Sequence, residues 1–491
     1  MKTLIIFLLT AAVVFGAGAA LIMTVTTWRV DEPANDPVEI AAATVESQGN
    51  PDYAIAAFDQ GRITSFRAHG GQYDPDTPFR IGSLSKTLTA TVVARLVDRG
   101  ELELDRPAVD YLPRFRLASG GDEITVRHLL NQTSGLPTSA GIADLNRPDT
   151  TLEQRVRNLR GVEPAGEPGD AFRYSNANYA VLGLIIEHVT GDSYATALRD
   201  EVLRPLGMRG TFTDPSGARG RDVSSGQLAM FGASVPADLE HFPGALSDGY
   251  LISSARDLAV FADAFATGSH DGRRFLSDRV LHEMRTPPRG VAEDPYYETT
   301  YGLGWRTEAF GDERAYWHEG ELSNAHADLG VVPESRVGLV VLTAQNGQLF
   351  SGDAPFFNGM RALTGSRTEN GRPDDGGYRA HALTMTAAAA VVIACMVLDV
   401  RRWPRIRSRG RRILRSALPR LFAAAAIWIA TFLGLGMMQG LSGPLPVSVA
   451  WAGAPDLAVI VFAVVGYLIL SAAVVCAPVR LLRRRVVGSP R

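Results

Sequence analysis

Four long apolar blocks fix what this 491-residue chain can become. The first runs from Leu4 to Val25 behind Lys2, and the others cover about 382–398, 421–438 and 457–476. About 20 apolar residues are needed to span a bilayer as a helix. Between the second and third blocks lies RRWPRIRSRGRRILRSALPR, with nine Arg, and RLLRRR follows the fourth. The stretch LSGPLPVSVAWAGAPD between the third and fourth blocks has no Lys or Arg. Loops rich in Lys and Arg stay cytoplasmic, so this pattern predicts three C-terminal transmembrane helices with a cytoplasmic C-terminus. Residues 29–380 then lie outside the cytoplasm. Lys2 ahead of the first block gives the same orientation independently. Residues 1–28 read as a signal sequence or an uncleaved anchor; Ala17-Gly18-Ala19 offers a cleavage site, but the apolar run continues beyond it.

Charge divides the chain at the same place. Residues 381–491 carry 14 Arg against Asp399 and Asp456, whereas 29–380 hold 34 basic and 50 acidic residues, a balance of −16. A domain that acidic repels phosphates, which excludes nucleic acid as a partner. Both cysteines, Cys395 and Cys476, lie inside apolar blocks. The 29–380 stretch therefore has no disulfide framework, no cysteine zinc site and no thiol nucleophile. Nine His are scattered without H-x-x-x-H or H-E-x-x-H spacing, so no metal and no cofactor is expected.

Within the soluble part, 29–50 reads as a linker. Residues 53–58 and 62–67 read as a hairpin around Asp-Gln-Gly. Apolar residues at 84, 88, 92, 93 and 96 make one helical face. Further helices are expected over 179–189, ending near Gly191, and over about 255–267. Past residue 300 the period becomes two: 314–318, 325–332 and 337–344 read as strands, with turns at Glu319-Gly320 and Pro333-Glu334. Strands at both ends with helices between predict a sheet assembled from the two termini and a helical region inserted. Residues 366–380 are a polar Gly/Pro-rich linker.

Lys2 and Lys86 are the only lysines in the chain. Arg does not deprotonate in a protein, whereas a desolvated Lys can become a neutral base. Retention of one ectodomain Lys points to a titratable amine, and Ser83 stands three residues before it. Chance would place a Ser there roughly one time in fifteen. Positions i and i+3 share a helical face, so the Ser83 hydroxyl and the Lys86 amine can meet, and a helix N-terminus favours an alkoxide. Ser85 is expected to cap or pack. In Tyr174-Ser175-Asn176 a phenol can act as a base and an amide can orient a peptide carbonyl; alone, it reads equally as a loop Tyr over the core. In His318-Glu319-Gly320 the small residue lets a substrate backbone lie along the strand while His318 lines the pocket. Glu319 would hold a cationic substrate if turned inward, or point to solvent, since strand neighbours alternate faces.

Six ordered segments, FRIGSLSKTLTA, ITVRHLLNQTSGLP, FRYSNANYAVLGLIIEHVTG, GYLISSARDLAVF, YGLGW and WHEGELSNAHADLGVVPES, together resemble the serine beta-lactamase and penicillin-binding protein superfamily. The similarity is to its class C beta-lactamase-related branch and covers about 45–365. It implies an α/β fold, a beta-lactamase-like sandwich of antiparallel sheet and helices with an inserted helical region, here followed by the membrane domain 381–491. It also implies that Ser83 is acylated, that Lys86 and Tyr174 share proton transfer and that Asn176 contacts substrate. Backbone N–H groups of Ser83 and Glu321 would form an oxyanion hole. His318 stands where many relatives carry the Lys of Lys-Thr-Gly that helps bind a substrate carboxylate, which favours an esterase or aminopeptidase-like activity over a true beta-lactamase or carboxypeptidase. The layout of leader, hydrolase domain and three helices is similar to membrane-bound prodrug-activating peptidases such as the colibactin-maturing peptidase. The expected function is therefore an extracytoplasmic, bilayer-anchored peptidase or amidase acting on an exported acyl-D-amino acid or small peptide. The alternatives are a broad carboxylesterase or beta-lactamase, and a penicillin-binding sensor that does not turn over.

Overall fold

The computed structural model describes residues 36–366, apart from 51, 143–146, 219–225, 231–232, 289, 292, 295–296 and 347–351, together with 455–476 and scattered residues between 385 and 396. The chain divides into two compact units: one contains 29–229 and 233–378, the other contains the C-terminal residues from 379.

In the first unit, helix α1 (Pro37–Ser47) starts at Asp36, whose carboxylate accepts from Val38 N at 2.8 Å. Such a cap satisfies one of the orphan N–H groups of the first turn. Sequence reading made this stretch linker; its Ala-rich composition conceals an apolar face of Val38, Ala41, Ala42 and Val45 that is fully buried. Strands β1 (Tyr53–Asp59) and β2 (Arg62–His69) form the expected hairpin, and helix α2 (Ser85–Asp98) follows a short 3₁₀ turn, Gly82–Leu84. Helices α3 (Leu152–Asn158) and α4 (Asn176–Thr190) belong to the inserted region; α4 ends at Gly191 with φ +74°. Helix α5 (Ala255–Thr267) precedes strands β3 (Thr300–Gly302), β4 (Trp305–Phe310), β5 (Glu313–Leu322), β6 (Ala325–Val332) and β7 (Val337–Thr343), and helix α6 (Ala354–Thr364) follows them.

The seven strands make one antiparallel sheet in the order β2-β1-β7-β6-β5-β4-β3. Strands from the two ends of the unit thus meet at β1 and β7, as the sequence pattern predicts. Successive side chains of a strand point to opposite faces of the sheet. Ala54, Ala56 and Phe58 of β1 join the larger core with α2, α4 and α5, whereas Tyr53, Ile55 and Ala57 join a second core with α1 and α6. On the larger side Phe265 stacks on Trp305 at 4.3 Å between ring centroids.

One boundary differs from expectation. Glu319-Gly320 is not a turn: β5 continues to Leu322 and pairs with β6 throughout, with Gly320 opposite Ala327. Glycine read as a chain breaker is here a strand residue that permits close approach of another backbone.

In the second unit, helix α7 (Pro455–Cys476) covers the last apolar block. Among the described residues, no helix is long and apolar enough to cross a membrane. The expected segments 1–28 and 421–438 lie outside the described residues, as do nearly all of the 366–380 linker and most of 382–398.

Candidate active site

The site forms where four segments converge: the turn into α2, the loop entering α4, the end of β5 and residues 247–251. Ser83 lies in the 3₁₀ turn rather than in α2 itself. Lys86, one turn on, is 0% exposed, and its Nζ donates to Ser83 Oγ at 2.9 Å and to the Asp248 carbonyl at 2.5 Å. Ser83 remains partly open to solvent. The nucleophile candidate is reachable while its base candidate is sealed.

Burial lowers the Lys86 pKa to about 7, against the opposing pull of the Asp248 and Glu319 charges. The Asp248 contribution is itself controlled. Its carboxylate accepts two hydrogen bonds from Arg155, at 2.6 and 3.0 Å, with both side chains buried. That ion pair offsets much of the negative field and fixes the carbonyl that holds Lys86. Ser85 packs as expected: its hydroxyl donates to Gly82 O at 2.7 Å and accepts from Leu251 N at 3.2 Å.

Two glycines bring β5 against the Ser83 turn. A Cβ on Gly320 would lie 1.9 Å from Ile81 O, and one on Gly82 would lie 2.6 Å from Glu321 N. Gly82 also has φ +48°, a conformation that disfavours other residues. Contact this close sets the Gly320-Glu321 backbone of β5 against the turn that carries Ser83.

The Tyr174 ring lies 5.0 Å from Lys86 Nζ, measured to its centroid. Its hydroxyl is buried without a hydrogen bond of standard geometry. Burial raises its pKa well above the usual phenol value, and the nearby Ser83 hydroxyl pulls the other way. The backbone beneath it is held by Gln132, a fully buried residue with φ +59°. The Gln132 carbonyl accepts from Arg173 N at 2.7 Å, and its Oε1 accepts from Ser175 N at 3.0 Å and from Asn178 Nδ2 at 2.6 Å. Asn176 opens α4, with Oδ1 buried and unpartnered.

His318 is 0% exposed. Its Nδ1–H donates to Glu319 O at 2.5 Å, and its Nε2 accepts from Tyr301 Oη at 3.0 Å. Burial lowers its pKa to about 4, so at neutral pH it is an uncharged imidazole in a defined tautomer. The lysine-like cation that a substrate carboxylate would seek is absent at this position.

Glu319 fits neither expectation. Its carboxylate is buried and paired in two hydrogen bonds with Arg306, at 2.7 and 2.9 Å, and Arg306 also binds Asp294 at 2.5 Å. Burial would raise its pKa, but the Arg306 charge overrides this and holds it at about 2. A carboxylate so committed is not free to bind a substrate amine. The Glu321 side chain, by contrast, is exposed.

Of the residues that sequence reasoning singled out, the structure brings Ser83, Lys86, Tyr174, His318 and Gly320 together, and Asn176 stands two residues past Tyr174 at the start of α4. Sequence reasoning missed Gln132, Arg155, Asp248 and Tyr301. Gln132 and Tyr301 lie inside segments already singled out, LLNQTSG and YGLGW. Arg155 carried no local signal, because its role depends on a partner 93 residues away.

Known proteins share this fold. The beta-lactamase family model matches residues 38–359. Penicillin-binding protein 4 of Amycolatopsis lactamdurans is 31% identical over 307 residues, covering 60% of this chain and 80% of that protein. Among solved structures, the octameric penicillin-binding protein homologue from Pyrococcus abyssi aligns with TM-score 0.60 at 26% identity, over 67% of this chain and 77% of the other. A D-stereospecific amidohydrolase from Streptomyces sp. aligns with TM-score 0.55 at 28% identity, over 69% of this chain and 99% of the other. A match across two cores and the whole Ser83–Lys86 neighbourhood leaves one assignment: the chain belongs to the beta-lactamase family and is a serine hydrolase of it.

Proposed function

We propose that this chain is an extracytoplasmic, membrane-anchored peptidase or amidase that cleaves an exported acyl-D-amino acid or related small peptide through an acyl-enzyme on Ser83. The observation that carries this reading is the 2.9 Å contact between Ser83 Oγ and a buried amine whose pKa is about 7. Neutral Lys86 takes the Ser83 proton as Oγ attacks the substrate carbonyl. The Ser83 and Glu321 N–H groups donate to the developing oxyanion. Tyr174, beside Lys86, passes the proton to the departing amine, which leaves the acyl group on Ser83. Water then attacks that ester with the same groups in reverse. Asn176 Oδ1 is free to accept a substrate N–H.

Two observations support an amide with an uncharged environment next to the scissile bond. His318 is neutral where a cation would bind a carboxylate, and the similar Streptomyces protein is a D-stereospecific amidohydrolase. The membrane anchor is supported by the Arg-flanked apolar blocks, and the prodrug-activating role by the layout of those blocks. A second reading, penicillin binding without turnover, is favoured by similarity to penicillin-binding protein 4.

Mass spectrometry separates the two. Purified protein and Ser83→Ala are incubated with acylated D- and L-amino-acid amides, a p-nitrophenyl ester and a penicillin. Amine release from D-substrates by the wild type alone supports the proposal. A lasting penicilloyl adduct without amide turnover sinks it and selects the sensor reading.

A further inference from the structure

Outside the catalytic site, the described residues contain one group of metal-ligating side chains: His326 and Asp328 of β6 and Asp353 at the start of α6. They are 1%, 0% and 3% exposed. His326 Nε2 lies 3.0 Å from Asp328 Oδ2 and 3.2 Å from Asp353 Oδ1, and all three ligand atoms fall within 4.8 Å of one another. One imidazole nitrogen thus faces two carboxylates, and a single proton there can bond well to only one. Hydrogen-bond geometry is met with Asp328 alone. Asp353 Oδ1, Asp328 Oδ1 and His326 Nδ1 are left buried without hydrogen bonds. Of these, Asp353 Oδ1 faces His326 Nε2, and a cation bound there would give it the partner it lacks.

The spacing admits a cation. Tetrahedral metal–ligand bonds of about 2.0–2.2 Å set neighbouring donor atoms about 3.3–3.6 Å apart, a small outward shift from the 3.0 and 3.2 Å seen here. Tyr297 Oη donates to the other Asp353 oxygen at 3.1 Å, the type of outer hydrogen bond that orients a ligating carboxylate. A Cβ on Gly352 would lie 2.7 Å from His326 Nδ1, so the glycine lets the chain close over the ring. The adjacent guanidinium of Arg306 is already committed to Glu319 and Asp294. Two buried carboxylates beside one imidazole offer a cation two anionic ligands.

We propose that His326, Asp328 and Asp353 hold a divalent cation of the zinc or manganese class, a structural site on the face of the sheet that carries α1 and α6. The imidazole suits zinc, and the two carboxylates admit manganese. The cation ties the β5–β6 hairpin to α6. His326 pairs in register with Glu321, so the brace lies directly behind the strand segment assigned above to the oxyanion.

The full chain is purified in detergent and its metal content measured by mass spectrometry, before and after dialysis against a chelator. Zn²⁺ and Mn²⁺ are then added back separately while thermal unfolding is followed. The expected result is about one equivalent per chain, a Tm several degrees higher on re-addition, and at least tenfold weaker binding in Asp328→Asn and Asp353→Asn. Ser83→Ala should bind as the wild type does, so the outcome is independent of the catalytic reading. Should those Asp variants fail to fold, cobalt loading of the stripped wild type provides a readout without substitution, an absorption spectrum with imidazole coordination. No stoichiometric metal and no Tm shift with either ion would overturn the site, leaving His326–Asp328 as a hydrogen-bonded pair.

Discussion

Lys86 and Arg306 are both fully buried cations, and their surroundings treat them in opposite ways. Arg306 lies between Glu319 and Asp294 and is held charged. Lys86 meets a hydroxyl and a carbonyl, while the carboxylate that acts most strongly on it, that of Asp248, is taken up by Arg155. Burial disfavours charge in both places; what differs is whether an anion is left free to offset it. The first arrangement builds a rigid strut in the sheet, and the second produces an amine able to exchange a proton near neutral pH. Deprotonation at Lys86 is a property of how Arg155 and Asp248 are paired, not of lysine alone.

The largest expected effect removes that difference. Lys86→Arg keeps a cation that cannot become neutral, and kcat/KM for an ester substrate should fall by about 10³-fold or more; retention of activity within tenfold would show that the amine is not the base. Arg306→Met attacks the other side. It strands two buried carboxylates and should cost about 3–5 kcal/mol in chemical denaturation, with a loss under 1 kcal/mol refuting the strut.

Third comes pH. The His318 pKa falls from 6.5 unfolded to about 4 folded. The unfolded chain therefore binds the extra proton first, and stability declines as pH falls from about 6.5 towards 4, by about 3 kcal/mol. His318→Gln should flatten that part of the stability profile; an unchanged slope would place its origin elsewhere. The smallest effect sharpens the comparison. Activity of the wild type should rise with pH through about 7 as Lys86 deprotonates. Asp248→Asn removes a negative charge and leaves Arg155 positive, so this limb should move to lower pH. Movement to higher pH would contradict the assigned electrostatics.

Much of this was legible in the residues. Period-two alternation gave the late strands, and the Ser83–Lys86 spacing gave the reactive pair, because both signals are local. Helix α1 was missed, since Ala and Pro dilute a buried face only 11 residues long. The Glu319-Gly320 turn was misread because glycine serves there to admit the Ser83 turn against the strand, a contact between segments over 230 residues apart. Arg155–Asp248 and Arg306–Glu319 were invisible for the same reason: charged residues reveal burial only when their partners are known. The His-x-Asp pair of β6 escaped metal-motif spacing because strand residues two apart share a face and the third ligand comes from a different element.

The burial of Lys86 has a practical consequence. Between residues 36 and 366 it is the sole lysine, and it is 0% exposed. Amine-directed labels such as succinimidyl esters, applied to Ser83→Ala so that the hydroxyl does not take the acyl group, should therefore leave that domain untouched while it is folded and mark a single site when it opens, making the modification rate of one peptide a direct gauge of how often the interior is breached.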